Sequence, residues 1–264
     1  MRMTVMTMTE SCAVWVYAVS AVAPGDQLPA GVAGAPVRVV PGHGLSALVS
    51  DVPLAQFDAA ALRRNMEDLD WLEATARAHH EVIEAAATLG PAIPMRLATV
   101  YRDDGGLLAM LGRHEEAFRA CLTQIAGRLE WGVKAYAVPA EQPAPAAASP
   151  GAPPSGTAYL ARRRNQLNDA EDVRRAAAVQ ADRVHAGLSR LAVLADLHPP
   201  QDPQMSGDRA PMILNGTYLV DESDTRRFAD AVQQAGRQQP MLRLELTGPW
   251  PPYSFALVEA GPWS

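Results

Sequence analysis

One tract limits what this chain can fold into more than any other. Residues 139–156, PAEQPAPAAASPGAPPSG, hold six prolines among small side chains and show neither a helical nor a strand period. Proline fixes φ and has no backbone donor, so an element of a packed core cannot run through this stretch. It reads as a semi-extended linker. Patterned chain lies on both sides, so the expectation is an extension over residues 1–12, a domain over 13–138, the linker over 139–156 and a second domain over 157–264. The length of 264 residues suits one to two domains, taking about 150 residues per domain.

Composition narrows the function classes. The net charge is −6 and the pI near 5.5. An acidic chain is a poor partner for nucleic acid, where a basic surface must release counterions. Cys12 and Cys121 are the only cysteines and neither sits in a CxxC, so a stapled secreted scaffold is not expected. A reducing cytoplasm is expected, with both thiols acting as small core hydrophobes. The apolar run over 12–23 is too short to span a membrane. Glu10 and the Thr/Ser-rich lead do not fit the positive start of a signal peptide. The run therefore reads as a buried first strand.

In the first domain, strands are expected over 13–19, 37–40 and 45–52, the last two as a hairpin around Pro41-Gly42-His43-Gly44. A helix follows, with Leu62, Met66, Leu69, Leu72, Ala76, Ile83 and Ala87 on one face, stopped by Gly90-Pro91. A strand over 93–101, a helix through Leu107, Leu111, Phe118, Cys121 and Ile125, and a strand over 131–138 complete this half. The order suggests an α+β sheet with helices on one face. In the second domain a long helix extends towards Leu194 and residues 198–211 form a long loop. Strands are expected over 212–220, 242–246 and 254–258, with a short helix over 225–234.

The catalytic signatures are missing: there is no GxSxG, GxxxxGK[ST] or HExxH. His80 and Glu84 are an i,i+4 pair beside His79, but a metal needs three or four ligands, and no further cluster accompanies them; His80, close to the helix's apolar face, reads instead as a hydrogen-bonded core residue. His114 is set aside on the same ground. No metal, cofactor or catalytic residue is therefore expected. Arg162-Arg163-Arg164 either meets an acidic partner or forms a solvated face. Arg96 interrupts an apolar strand, where a half-buried guanidinium needs a partner, as a structural ion pair or as part of a binding groove. The most unusual stretch is 246–255, LTGPWPPYSF. Gly248 and Pro249 are expected to end a strand, and Pro251 and Pro252 to hold an extended backbone. Trp250, Tyr253 and Phe255 then either serve as rigid binding aromatics or pack onto their own domain.

Several short motifs, in order, carry a family resemblance. They are Val16-Tyr17, LVSDVP over 48–53, PMRLATVY over 94–101, WGVK over 131–134, TAYLARR over 157–163, LNGTYLVD over 214–221 and LTGPWPPYSF over 246–255. Together they make the chain similar, from about residue 14 to residue 255, to the gas vesicle protein F/L family of vesicle-assembly accessory proteins. One departure is visible: the family usually reads PMRFGT where this chain has Leu97 and Ala98. The resemblance implies two α+β domains, the second ferredoxin-like, with no catalysis and no cofactor. It implies a cytoplasmic protein associated with gas vesicles that meets the hydrophobic shell subunit and other accessory proteins. Neither nucleic acid nor a membrane is an expected partner. Candidate partner contacts are Trp250, Pro251, Pro252, Tyr253, Phe255, Arg96, Arg162 and Arg163. The rival expectations are a minor structural component kept on the finished shell and, further off, a small-molecule-binding protein or enzyme.

Overall fold

The computed structural model describes residues 11–23, 28–138, 156–200 and 210–256; for residues 156–163 and 165–170 it describes the backbone alone. The chain forms two compact units, each built on an antiparallel sheet. The first comprises Met1–Gly127 and Trp250–Ser264, the second Arg128–Pro249.

The first unit grows around strand β1, Cys12–Ser20, in which eight consecutive residues are buried. A strand that buries every side chain must be covered on both faces. β1 pairs with β3, Leu45–Pro53, which pairs in turn with β2, Arg38–Gly42. His43 and Gly44 both have positive φ, and they close the expected hairpin as a two-residue turn, with Pro41 and Gly42 inside β2. On the other side of β1 lie two short strands, β4 (Ala92–Pro94) and β5 (Val100–Tyr101). The register of β1 on β3 shifts between Val16 and Ala18, leaving Tyr17 as an extra residue. Such a bulge changes which side chains share a face. Trp15, Tyr17 and Ala18 thus face one core and Val14, Val16 and Val19 the other.

Three helices cover the Trp15 face: α1 (Leu54–Phe57), α2 (Ala59–Asn65) and α3 (Leu69–Leu89). Helices α4 (Asp104–Arg113) and α5 (Glu115–Ile125) cover the other. This corrects the one-faced sheet expected from sequence. The single helix expected through Leu62 to Ala87 is also broken, because Asp58 and Asp68 each accept hydrogen bonds from two backbone N–H groups and so start new helices. Likewise α4 ends at His114, and α5 begins there. His114 is half-buried at that junction. The strand expected over 93–101 is split by a turn at Leu97 and Ala98.

The second unit runs β6 (Arg128–Ala137), α6 (Gly156–Ser189), β7 (Leu194–Leu197), β8 (Met212–Asp221), α7 (Thr225–Gln238) and β9 (Leu242–Trp250), the last residue of which returns to the first unit. The sheet order is β7-β8-β6-β9. Residues of β6, β8 and β9 alternate towards a single core with Ala177, Ala181, Val184 and Leu188 of α6 and Phe228 and Val232 of α7. Several expectations are corrected here. The strand assigned to the end of the first domain is β6, whose ladder with β8 places it in the second unit. The long helix stops at Ser189, and the separate strand β7 follows it. Most of the linker lies outside the described residues. So does part of the long loop, over 201–209.

Candidate functional site

The stretch expected to display aromatics is a strap on the first unit. β9 continues through Gly248 and Pro249 to Trp250, so these residues do not end the strand as expected. Residues 251–256 follow without a further strand: Tyr253, Ser254 and Phe255 form a turn, and the rest of the strand expected over 254–258 lies outside the described residues. Pro251 and Pro252 are buried, as is Ala256. Tyr253 packs against the core of α1–α3, and Ala256 belongs to the core of α4 and α5. Six residues therefore reach both cores of one sheet. The Cys121 thiol on α5 donates to the Phe255 carbonyl at 3.8 Å, and burial pushes the thiol pKa up. Cys12, by contrast, is exposed, which corrects the expectation of two core thiols.

His80 on α3 is the strap's main polar seat. Its Nδ1 lies 2.9 Å from the Tyr253 hydroxyl and its Nε2 lies 3.5 Å from Glu84. The imidazole stacks on the Tyr253 ring, centroids 6.0 Å apart, and meets the Trp250 ring edge-on at 5.6 Å. Trp250 nonetheless remains 41% exposed. The structure thus favours packing onto the chain's own unit for Tyr253 and the prolines, and leaves one indole at the surface.

The neighbouring histidine is the buried one. His79 Nδ1 accepts from Trp15 Nε1 at 3.0 Å, so Nε2 carries the proton and donates to the Met95 carbonyl at 3.0 Å. Burial lowers its pKa to about 4, against the hydrogen bond to Met95. Beside it runs a second buried chain of donors. The Val32 N–H donates to the Tyr17 hydroxyl, which donates to Ser50 Oγ, which donates to the Pro36 carbonyl. Gly31 makes room for this relay, because a Cβ there would overlap both hydroxyls. These are neutral, satisfied groups that fix a core.

The remaining sequence candidates do not join the strap by any described contact. Arg96 is exposed in the connection after β4, which corrects the expected place within a strand. Its carbonyl accepts from the Thr99 N–H and hydroxyl. Arg162 and Arg163 lie on α6, with side chains outside those described. Among the described residues no group of three or more His, Cys, Asp or Glu could hold a metal ion. Among them, too, no helix is long and apolar enough to cross a membrane.

Comparison with known proteins places the chain. The family model described as gas vesicle synthesis protein GvpL/GvpF matches residues 13–257. The chain belongs to the GvpL/GvpF family. It is 41% identical over 228 residues to gas vesicle protein L of Streptomyces sp. (strain CB03234), covering 86% of this chain and 85% of that one. Its identity to gas vesicle protein F of the same strain is 28%, covering 83% and 87%. The crystal structure of GvpF from Anabaena sp. PCC7120 superposes with a TM-score of 0.68 at 18% identity, covering 94% of this chain and 98% of that one. The two-sheet α+β architecture is therefore a GvpF-like fold.

Proposed function

We propose that this member of the GvpL/GvpF family is an accessory factor that binds the hydrophobic shell subunit, and other accessory proteins, while a gas vesicle is being built. Family membership supports the reading. So does Trp250, an indole 41% exposed on a strap whose neighbouring prolines are buried. A subunit that will keep water out of a gas space presents apolar surface before assembly, an aggregation hazard until it is covered. A stiffly backed tryptophan gives up little conformational entropy on contact and is the residue type most enriched in binding hot spots. In this reading Trp250 makes the contact, Pro251 and Pro252 back it, and Tyr253 and Phe255 fix the strap. Arg96, Arg162 and Arg163 add polar contacts at the rim. The role takes place in the cytoplasm and on the growing vesicle. It needs neither a catalytic step nor a cofactor. We read the second unit as ferredoxin-like, supported by its β-α-β-β-α-β order and the second-third-first-fourth sequence of strands across the sheet.

Co-production with the shell subunit tests the proposal, scored as subunit kept in solution. Trp250→Ala should lower retention about tenfold with little change in the thermal midpoint, as for a hot-spot residue outside the core. Equal retention by a folded Trp250→Ala protein removes Trp250 from the site. No retention by the unaltered protein removes the shell subunit as the partner.

A further inference from the structure

Among the described residues the sheets have edges of unequal protection, and one is left uncovered. A strand edge presents N–H and C=O groups to any extended chain, and proteins ordinarily block it with proline, charge or brevity. On the first sheet β2 carries Pro41 and Arg38, the latter bridged to Asp51 and Asp104. The opposite edge is broken into β4 and β5. On the second sheet β9 carries Arg243, Glu245 and Pro249. At the other end of that sheet all four residues of β7 are exposed. β7 is short and its one charge, Asp196, turns back to its own strand at the Leu197 N–H; it has neither a proline nor a cation, and Leu194 and Leu197, with the preceding Val193, are 38%, 52% and 42% exposed.

The ladder shows which groups are open. Leu194 pairs with Leu219 and Asp196 with Thr217, and the His198 N–H donates to the Asn215 carbonyl at 2.8 Å. In an antiparallel ladder alternate residues turn their backbone groups to the neighbour. Leu194, Asp196 and His198 therefore face β8, while Ala195 and Leu197 turn outwards. The Leu197 N–H is taken by Asp196 Oδ1 at 2.9 Å. Among the described residues, both polar groups of Ala195 and the Leu197 carbonyl remain for an incoming strand.

Asp196 decides against a second copy as that strand. Antiparallel self-pairing through these outward groups sets Asp196 opposite Asp196, opposite Leu194 or opposite His198, and the last is centred on Leu197, whose N–H Asp196 already holds. The first repels and the second sets a carboxylate against an apolar side chain. We propose that the β7 edge accepts an extended apolar strand of the shell subunit, with a neutral or basic residue opposite Asp196. This rests on the partner reading above and assigns the subunit a second contact besides Trp250.

Ala195→Pro removes the outward N–H while leaving the ladder to β8 intact, since proline is tolerated at strand edges. Ala195→Val keeps the N–H, and Leu194→Lys with Leu197→Lys keeps the backbone but charges both leucines. In the co-production assay Ala195→Pro and the double lysine variant should each retain about tenfold less subunit, as expected where main-chain pairing supplies affinity, and Ala195→Val should match the unaltered protein. If Ala195→Pro fails to fold, the lysine variant decides alone. Full retention by a folded edge variant overturns the edge proposal and leaves the partner reading standing. No retention by the unaltered protein overturns both. A dimer of the unaltered protein that Ala195→Pro converts to monomer shows that a second copy takes the edge, which also overturns it.

Discussion

The two units answer the same packing problem differently. In the first, helices lie on both faces of the sheet, and the central strand is apolar almost throughout, from Ala13 to Val19. In the second, α6 and α7 share one core with the sheet, and β8 alternates between buried and half-buried along most of its length. Each unit has a histidine bonded to a buried aromatic side chain. His79 is buried with both nitrogens satisfied. His185 is half-buried, its Nδ1 2.9 Å from the Tyr218 hydroxyl. Of the four buried side-chain polar atoms without a hydrogen-bond partner among the described residues, only the Tyr101 hydroxyl is in the first unit. Trp131 Nε1, Gln180 Oε1 and Thr225 Oγ1 are in the second. Covering a sheet on both faces puts more polar groups out of reach of water, and the first unit pairs them more completely.

Ending the chain after Pro249 should break the comparison most severely. It removes Tyr253 and Ala256 from the first unit while sparing the second unit's described elements but for Trp250, the last residue of β9. The cost to the first unit should be on the order of 4 kcal/mol or more, by analogy with emptying a large core side chain. Hydrogen exchange should show protection lost along β1 and kept along β8; equal loss in both would show that the units do not unfold separately.

A smaller effect is expected from His79→Phe, which leaves the Trp15 N–H and Met95 carbonyl buried without partners, at roughly 2–4 kcal/mol. The same histidine makes stability depend on pH. Its pKa falls from 6.5 in the unfolded chain to about 4 in the fold. The unfolded state therefore takes up the proton first as pH falls. Stability from this group is complete above pH 6.5 and declines down to about pH 4, by at most about 3 kcal/mol. Denaturant titrations from pH 7 to 4 should give a flatter curve for His79→Phe than for the unaltered protein; parallel curves would contradict a neutral buried His79. Tyr218→Phe sharpens the contrast, because half-buried His185 can turn to water. Its cost should stay near 1 kcal/mol.

Ala98→Gly should have the smallest effect, and it should stabilise. Ala98 sits at φ 63°, a region that disfavours a side chain by about 1–2 kcal/mol. The extra freedom of glycine in the unfolded chain offsets roughly half of that, leaving a gain of up to about 1 kcal/mol. A thermal midpoint that falls instead would mean the Ala98 methyl contributes more by packing than its backbone costs.

That position also shows how far the sequence could be read. Glycine is usual in the family where this chain has Ala98, and the turn geometry gives the physical reason. The hairpin at His43-Gly44 was legible because its residues suit the two left-handed positions. The apolar run of β1 was legible as a buried strand, but the sequence did not disclose that two helical layers would bury it. Helix periodicity carried across Asp68, where the side chain caps a new helix, and across His114, where none does, since an apolar stripe can continue in phase through such a break. Strand β7 was hidden because its four residues also extend a helical pattern. Among the site candidates, the aromatic stretch was visible from its prolines and rings. The seat beneath it was only half visible. His80 stood out for its spacing from Glu84, but its partner Tyr253 is 173 residues away, a pairing that spacing cannot reveal. The helical spacing pointed to His80 as the core member of the pair, whereas His79 is the buried one, because the face that α3 buries runs through Thr75, His79, Val82 and Ala86.

The strap has a consequence for how the protein is made. Its residues leave the ribosome only after all of Arg128–Pro249. At synthesis rates of about 5–20 residues per second, the nascent first unit waits roughly 6–25 seconds for its closing segment. Throughout that interval the seats of Tyr253 and Ala256 stand open. A protein here proposed to shelter another chain's apolar surface passes through a stage in which its own needs sheltering.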